Sequence, residues 1–228
     1  MKKLATVLTV LALVAAAQAG VVLSEDFESG QAGYGINGTN GWSGASEFEY
    51  STVTIDSGQS AGWSTGGWVA ISKGFSYTPG VGESYVLTAV LYAPGTSGEY
   101  ADLRICNSSD PANTMQGVAI GYGSMDFGVI NGTTIKVTQP TSATDVMFVL
   151  DGDTSAFYYK AHGAADWISA GGFTSLGWSI AAYDQIVMNG HGSYAGNIDT
   201  ILLEAVPEPA TMSLLTLGGL GVLIRRKR

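Results

Sequence analysis

Glu47 and Glu49 are the two residues whose type and spacing could carry out hydrolytic chemistry. One residue separates them, so on a β-strand both side chains would lie on the same face. A pair of carboxylates is the catalytic unit of most glycoside hydrolases. The polar face of a solvated strand explains this pair better, and the chain contains no HExxH and no P-loop. We therefore predict that the protein is not an enzyme.

Five tryptophans could bind a glycan instead, because the apolar face of a sugar stacks on an aromatic ring. All five lie near glycine- or serine-rich stretches: Trp42, Trp63, Trp68, Trp167 and Trp178. Packing in the core is the more common fate of such large rings, and we expect it for most of them. Trp63 adjoins the loop-like sequence Ser64-Thr65-Gly66-Gly67, and it is the ring that we predict to be exposed and to bind a ligand.

The charge of the chain excludes several kinds of partner. Residues 20–206 carry four basic and eighteen acidic side chains, a net charge of −14. This argues against binding nucleic acid or anionic lipid, which need a basic footprint. It favours calcium binding and solubility outside the cell. Cys106 is the only cysteine, so no intrachain disulfide can form, and we expect it in the core.

Short apolar or alternating segments recur between residues 20 and 206, separated by Gly, Asn, Asp, Ser and Pro, and none of them has helical periodicity. The predicted strands cover residues 21–27, 46–55, 67–72, 84–93, 100–106, 117–122, 133–138, 145–150, 156–160, 173–181, 185–189 and 197–206. Many short strands at this spacing are typical of a β-sandwich or jelly roll. We predict an all-β fold, a single jelly-roll β-sandwich over residues 20–205.

The chain begins with the features of an export signal. Lys2 and Lys3 precede the apolar stretch 4–17, and Ala17-Gln18-Ala19 forms an A-x-A cleavage site. We predict a signal peptide over residues 1–19, used by the general secretion machinery. The body of the protein would then lie outside the inner membrane.

The chain ends with three features in a row: Val206-Pro207-Glu208-Pro209, an apolar run over 210–224, and Arg225-Arg226-Lys227-Arg228. The run is shorter than the ~20 apolar residues of a stable membrane span, and the basic tail follows the positive-inside rule. Together they resemble the PEP-CTERM sorting signal over residues 206–228, with Pro207, Glu208 and Pro209 as its sorting motif. An ordinary C-terminal tail anchor is the alternative interpretation.

The resemblance implies a route for the protein. An exosortase recognises the motif, while the hydrophobic sorting helix 210–224 holds the chain in the inner membrane for a time. The processed protein then reaches the cell surface or extracellular matrix of a Gram-negative bacterium.

Three segments of the body resemble the concanavalin A-like, or laminin-G-like, jelly rolls: the start Ser24-Glu25-Asp26-Phe27-Glu28, the Asp151-Gly152 hairpin and the final strand 197–204. In such jelly rolls a cation often joins the first strand to the last. The resemblance therefore implies a structural Ca²⁺ held by Glu25, Asp26, Glu28 and Asp199. Residues 151–155 are a second candidate, for which we favour a plain hairpin turn. β-Glucanases of this fold carry an E-x-D-x-x-E strand, which this chain lacks.

These features together predict an exported, non-enzymatic surface or matrix protein that is processed by an exosortase and contacts extracellular polysaccharide. The alternative is a secreted glycan-active hydrolase on the same fold. Carboxylates lining a groove along one sheet face would favour the hydrolase, and a flat or loop-covered face would favour the surface protein.

Overall fold

The computed structural model describes residues 19–207, apart from 57, 65, 95–99, 122, 131, 132, 142 and 193–195. These residues form two antiparallel β-sheets that pack face to face, which confirms the all-β jelly-roll sandwich. Within the described part of the chain, no helix is long and apolar enough to span a membrane. The predicted signal peptide before Ala19 and the predicted segment 210–224 lie outside the described residues.

The front sheet has eight strands, with the last strand of the chain near its centre. In spatial order they are β13 (Ile168–Phe173), β12 (Thr154–Ala161), β11 (Ala143–Asp151), β6 (Glu83–Tyr92), β15 (Asn197–Pro207), β4 (Ser60–Trp63) and β3 (Phe48–Ser51), with β1 (Gly20–Glu25) also paired to β15. The first and last strands therefore pair directly, from Gly20–Ala205 to Glu25–Ile201.

The back sheet has seven strands. In spatial order they are β10 (Thr133–Thr138), β9 (Ser124–Ile130), β8 (Gln116–Gly121), β7 (Tyr100–Cys106), β14 (Gln185–His191), β5 (Val69–Gly74) and β2 (Trp42–Gly44). The core lies between the two sheets, where Phe127 of β9 meets two rings of the front sheet. Its ring centroid is 5.5 Å from that of Phe157 and 6.5 Å from that of Phe148.

Alternation of side chains explains why the central strands form where they do. In β6 the inward residues Tyr85, Leu87 and Leu91 have no solvent-exposed area, and Val86, Thr88 and Val90 between them point outward. Cys106, at the end of β7, is buried as predicted, and desolvation raises the pKa of its thiol to about 11. Such a thiol stays protonated at neutral pH, which fits a packing role.

The prediction of a strand over 173–181 is wrong. Strand β13 ends at Phe173, and Ser175 and Gly177 take φ angles of 61° and 84°, which an extended strand does not allow. The segment instead folds over the β11–β12 turn, where the N–H of Leu176 donates to the carbonyl of Asp153 at 2.6 Å. A short 3₁₀ helix, Ile180–Ala182, follows.

Four observed strands lie where the sequence predicts none: β2, β4, β9 and β13. Strands β2 and β4 have three and four residues, too few to show a periodic pattern. Strands β9 and β13 are interrupted by Gly128 and by Gly171-Gly172, which weaken a strand pattern. Besides the 3₁₀ helix Ile180–Ala182, the described residues contain one further helical element, the single turn α1 (Pro111–Thr114).

Candidate functional site

Trp63 is not exposed, and the prediction that it presents its ring to a ligand is wrong. Its relative exposure is 1%, and its indole N–H donates to the carbonyl of Gly192 at 2.7 Å. Two glycines make room for the ring: a Cβ on Gly190 or Gly196 would lie 2.2 or 2.3 Å from an indole atom. Trp63 is therefore a core residue whose ring packs against the backbone of two glycines.

Glu25 is buried inside the sandwich, where its carboxylate contacts Lys73, Trp42 and Phe27. Its side chain is 5% exposed and forms an ion pair with Lys73, with Nζ and Oε2 3.0 Å apart. The same oxygen accepts a hydrogen bond from the indole N–H of Trp42 at 3.0 Å. The other accepts from the backbone N–H of Phe27 at 3.3 Å. These contacts give Glu25 a structural role, tying β1 to the back sheet.

Asp26 and Glu28 lie on the surface just after β1. Asp26 accepts from the backbone N–H of Glu28 at 3.1 Å, a local turn of the kind that aspartate forms with its own backbone. Glu28 reaches across to the segment before β4, where its Oε1 accepts from the backbone N–H of Gln59 at 2.7 Å.

Asp199, the fourth predicted calcium ligand, is buried in the outer face of the front sheet. It is 1% exposed, and its two oxygens accept from the backbone N–H groups of Thr200 at 2.8 Å and Asp56 at 3.3 Å. Burial raises the pKa of its carboxyl to about 6, because desolvation disfavours the charged form.

The predicted calcium ligands therefore do not converge on one point. Glu25 is paired with Lys73 and Asp199 is enclosed by backbone donors. The described residues contain no group of three or more His, Cys, Asp or Glu side chains that could hold a metal ion. This ligand set does not fit a single site. Calcium binding by the protein stays a prediction, to be measured by thermal unfolding with calcium and with chelator.

The two weaker candidates occupy ordinary strand positions. Asp151 pairs with Thr154 across a two-residue turn, and Gly152 takes a φ of 57° there, as a tight hairpin requires. Glu49 lies in β3 opposite Gly62, on the outward face and two residues from Glu47. Glu49 lines a cleft of about 420 Å³ with Ser51, Asn197 and neighbouring residues.

A smaller cleft on the same outer face brings together carboxylate, imidazole and indole side chains. Its volume is about 230 Å³, and it is lined by Asp56, Thr88, Ala89, Val90, Asp145, His162, Trp167 and Thr200. Strands β6, β11 and β15 form its floor, and the segments before β4, after β12 and before β13 form its walls. We call it the front cleft.

A β-bulge in β15 shapes one side of the front cleft. Asp199 pairs with Val90 and Leu202 with Thr88, so two residues of β15 oppose one residue of β6. The extra residue, Thr200, has a φ of 49°, a rare conformation for a β-branched side chain. Its hydroxyl donates to Asp56 Oδ2 at 3.1 Å. Bulges re-aim side chains near functional sites, and this one directs Thr200 toward the cleft.

His162 lies between the carboxylates of Asp145, which is half-buried, and Asp56, which is exposed. Its Nδ1 is 2.6 Å from Asp145 Oδ1, and its Nε2 is 3.7 Å from Asp56 Oδ1. Asp145 also pairs with Lys160, its register partner in β12, with Nζ and Oδ2 3.4 Å apart. The arrangement presents carboxylate, imidazole and ammonium groups side by side, which can donate and accept hydrogen bonds with a polyhydroxyl ligand.

Trp167 supplies the aromatic surface of the front cleft. It is 37% exposed and lies in the connection between β12 and β13. The Lys160 ammonium sits 4.9 Å from the ring centroid, a cation–π contact that positions the indole. A planar ring beside polar groups is the usual composition of a small-ligand site.

Sequence reasoning named Trp167 among five possible glycan-binding rings, but it did not identify Asp56, Asp145, His162 or Thr200. One signal was present: the Asp151-Gly152 turn fixes the register of β11 and β12, which places Asp145 opposite Lys160. Asp56 and Thr200 are hydrogen-bonded although 144 positions separate them in the chain, and no local sequence pattern predicts such a contact.

Residues 205–228 match the PEP-CTERM protein-sorting motif. This confirms the resemblance at the C-terminus, and it implies an exported protein that is processed by an exosortase and associated with the membrane in transit. Of the Pro-Glu-Pro residues, the structure describes Pro207, which ends β15 opposite Glu83. Glu208 and Pro209 lie outside the described residues. A comparison with curated proteins found no match.

Several solved structures share the fold. The winged bean acidic lectin is 7% identical with a TM-score of 0.52, over 81% of this chain and 98% of the lectin. The CBM2 module of the evolved Dit protein of Lactobacillus casei BL23 phage J-1 is 8% identical with a TM-score of 0.53, over 83% of this chain and 97% of the module.

A third similar structure is a mutant of the GH43 protein BlXynB from Bacillus licheniformis, 16% identical with a TM-score of 0.51 over 81% of this chain. This chain spans 39% of the length of that protein. At these identities the similarities show the fold, a lectin-like sandwich, and nothing about ligand or activity.

Proposed function

We propose that this exported, exosortase-processed protein acts at the cell surface or in the extracellular matrix as a non-enzymatic binder of polysaccharide, with the front cleft as its binding site. The observation that carries the proposal is the front cleft itself, where the exposed indole of Trp167 adjoins Asp56, Asp145 and His162.

The chemistry of the front cleft suits a neutral sugar. The apolar face of a pyranose can stack on Trp167, while its hydroxyl groups meet carboxylate oxygens and the imidazole. Asp145 is partly neutralised by Lys160 at 3.4 Å, whereas the body as a whole carries a net charge of −14. Strongly anionic polymers are therefore repelled at low ionic strength, and neutral ones are not.

Binding to a glycan array by the full chain in mild detergent tests the proposal. We expect a neutral glycan to be retained, and Trp167→Ala to weaken its binding about tenfold, because the lost stacking is worth ~1–2 kcal/mol. Tyr34→Ala is a matched control, since Tyr34 is 60% exposed and does not line the cleft. Equal binding by Trp167→Ala and the wild type would reject the front cleft as the site.

A glycan-active hydrolase is the second candidate. It is favoured by the two carboxylates, Asp56 and Asp145, that lie on either side of His162 in one cleft. Glycoside cleavage requires one such group as acid and another as base or nucleophile. Asp199 is not available as the acid, because it is 1% exposed and bonded to backbone. Release of reducing ends that disappears in both Asp56→Asn and Asp145→Asn would establish the hydrolase and overturn the non-enzymatic proposal.

A further inference from the structure

We propose that the outer face of the back sheet carries a second glycan-binding site, formed by Trp68, Tyr100 and His191. We call these three rings the aromatic platform. The front cleft and the aromatic platform lie on opposite faces of the sandwich. The platform is inferred from its own geometry, and its consequence for cross-linking also rests on the proposed function.

The backbone of the back sheet brings the three residues together. Tyr100 begins β7 and pairs with His191, which ends β14. Trp68 directly precedes β5, the strand on the other side of β14. Their neighbours Ala101 and Gly190 face inward, since Ala101 has no exposed area and a Cβ on Gly190 would strike Trp63. Successive strand residues alternate in direction, so Tyr100 and His191 face outward.

The three rings are in mutual contact. The Trp68 ring stacks on that of Tyr100 with centroids 5.5 Å apart and planes 26° apart. It lies 4.8 Å from the ring of His191, and the Tyr100 and His191 rings are 6.0 Å apart. Trp68 is nevertheless 60% exposed. The Tyr100 and His191 rings therefore fix the orientation of the indole, while much of its surface faces solvent. A fixed ring loses less conformational entropy when a ligand stacks on it.

Polar groups lie next to the aromatic platform on the same outer face. Two residues along from Tyr100 and His191, the outward pair is Asp102 and Asn189. Asp102 is 1% exposed and forms an ion pair with the guanidinium of Arg104, so this region carries no unbalanced charge from that pair. An exposed ring beside neutralised polar side chains fits an uncharged pyranose unit better than an ionic ligand.

Two glycan sites on opposite faces would let one molecule join two polysaccharide chains. Once one site has bound a polysaccharide, the effective concentration of sugar units at the other site rises. The protein is therefore retained more strongly than the affinity of either site alone would give. The structure thus assigns the protein a cross-linking role within the extracellular polysaccharide, provided that the front cleft binds as proposed.

The test uses affinity electrophoresis of the full chain in mild detergent, with soluble xylan, galactomannan and mixed-linkage β-glucan as probes. We expect Trp167→Ala to retain binding to at least one polymer. Adding Trp68→Ala to that variant should weaken the remaining binding about tenfold, the effect of removing one aromatic anchor. Trp68→Ala alone should leave the front cleft active but abolish the turbidity that the wild type produces with a long polymer. Tyr34→Ala again serves as the control.

The variants separate the possible failures. If binding is lost in Trp167→Ala alone and Trp68→Ala equals the wild type in binding and turbidity, the front cleft binds and the aromatic platform does not. If Trp167→Ala equals the wild type but Trp68→Ala loses binding, the platform stands and the proposed function of the front cleft fails. No binding to any probe by the wild type overturns both. Light scattering tests self-association: a dimer disrupted by Trp68→Ala, with polymer binding unchanged, makes the platform a contact for a second copy and overturns the proposal.

Discussion

Trp63 and Gly190 should be energetically coupled, because the indole occupies the space that a side chain at position 190 would fill. The perturbation is Gly190→Ala, measured in the wild type and in Trp63→Ala. In the wild type the new Cβ would lie 2.2 Å from Cδ2 of Trp63. That separation is too short for any real contact, so ring or backbone must move.

The expected magnitudes follow from this geometry. Trp63→Ala removes a ring that is 1% exposed, and such truncations lower the free energy of unfolding by about 3–5 kcal/mol. Gly190→Ala overpacks the same place and should cost about 1–3 kcal/mol. In the Trp63→Ala background the added methyl enters the cavity, and its cost should fall to near zero. The coupling energy is then about 1–3 kcal/mol in favour of the double variant.

Urea unfolding of the four full-length proteins in mild detergent, followed by circular dichroism, measures this cycle. Gly74→Ala is the control, since its nearest neighbour, the carbonyl oxygen of Asp184, would be 3.7 Å from the new Cβ; it should shift stability by less than about 1 kcal/mol. Additive effects of Trp63→Ala and Gly190→Ala, within about 0.5 kcal/mol, would refute the contact. So would a Trp63→Ala variant as stable as the wild type, which is the result that an exposed Trp63 requires.

Three further outcomes are expected. Burial raises the folded-state pKa of Asp199 to about 6, so the folded state binds the proton more tightly than the unfolded state does. The free energy of unfolding should therefore fall by ~1–3 kcal/mol as the pH rises from about 4 to 6. Asp199→Asn should lack this pH dependence in urea titrations. Glu25→Gln should lose about 2–4 kcal/mol in the same assay, since Lys73 is left without its charged partner, and a loss below about 1 kcal/mol would contradict the role assigned to that ion pair. Intact-mass measurement of the protein from a host with its exosortase should show loss of the residues that follow the region 206–209, whereas a surface form that still ends in Arg228 would favour the ordinary tail anchor.

The sequence predicts strands well where both periodicity and length are sufficient. Strand β7 has the predicted bounds Tyr100–Cys106 and strand β10 the predicted bounds Thr133–Thr138. The four missed strands are short or interrupted by glycine, so the pairing that creates them comes from neighbouring strands. Residues 173–181 show the opposite error: apolar residues occur there, but Leu176 and Ile180 are buried by folding over a turn.

The candidate sites show a sharper limit. Trp63 and Trp68 flank the same glycine-rich stretch, and nothing local separates them. The structure buries Trp63 because two glycines far along the chain, Gly190 and Gly196, leave space for its ring. Trp68 lies on the outer face of the back sheet, where the rings of Tyr100 and His191 contact it and leave it 60% exposed. Burial is decided by which distant strands meet at a residue.

By itself, the sequence determined the β-rich class, the acidic body, the single buried cysteine and the sorting motif at the C-terminus. These properties depend on composition, on alternation between adjacent residues or on a contiguous motif. Only the tertiary structure decided that Glu25 pairs with Lys73, that Asp56 and Asp145 meet at His162, and that Trp68 and Trp167 are exposed on opposite faces of the sandwich. In an antiparallel sandwich each of these neighbours comes from a strand or connection whose position is fixed by sheet order and register, which no local pattern encodes.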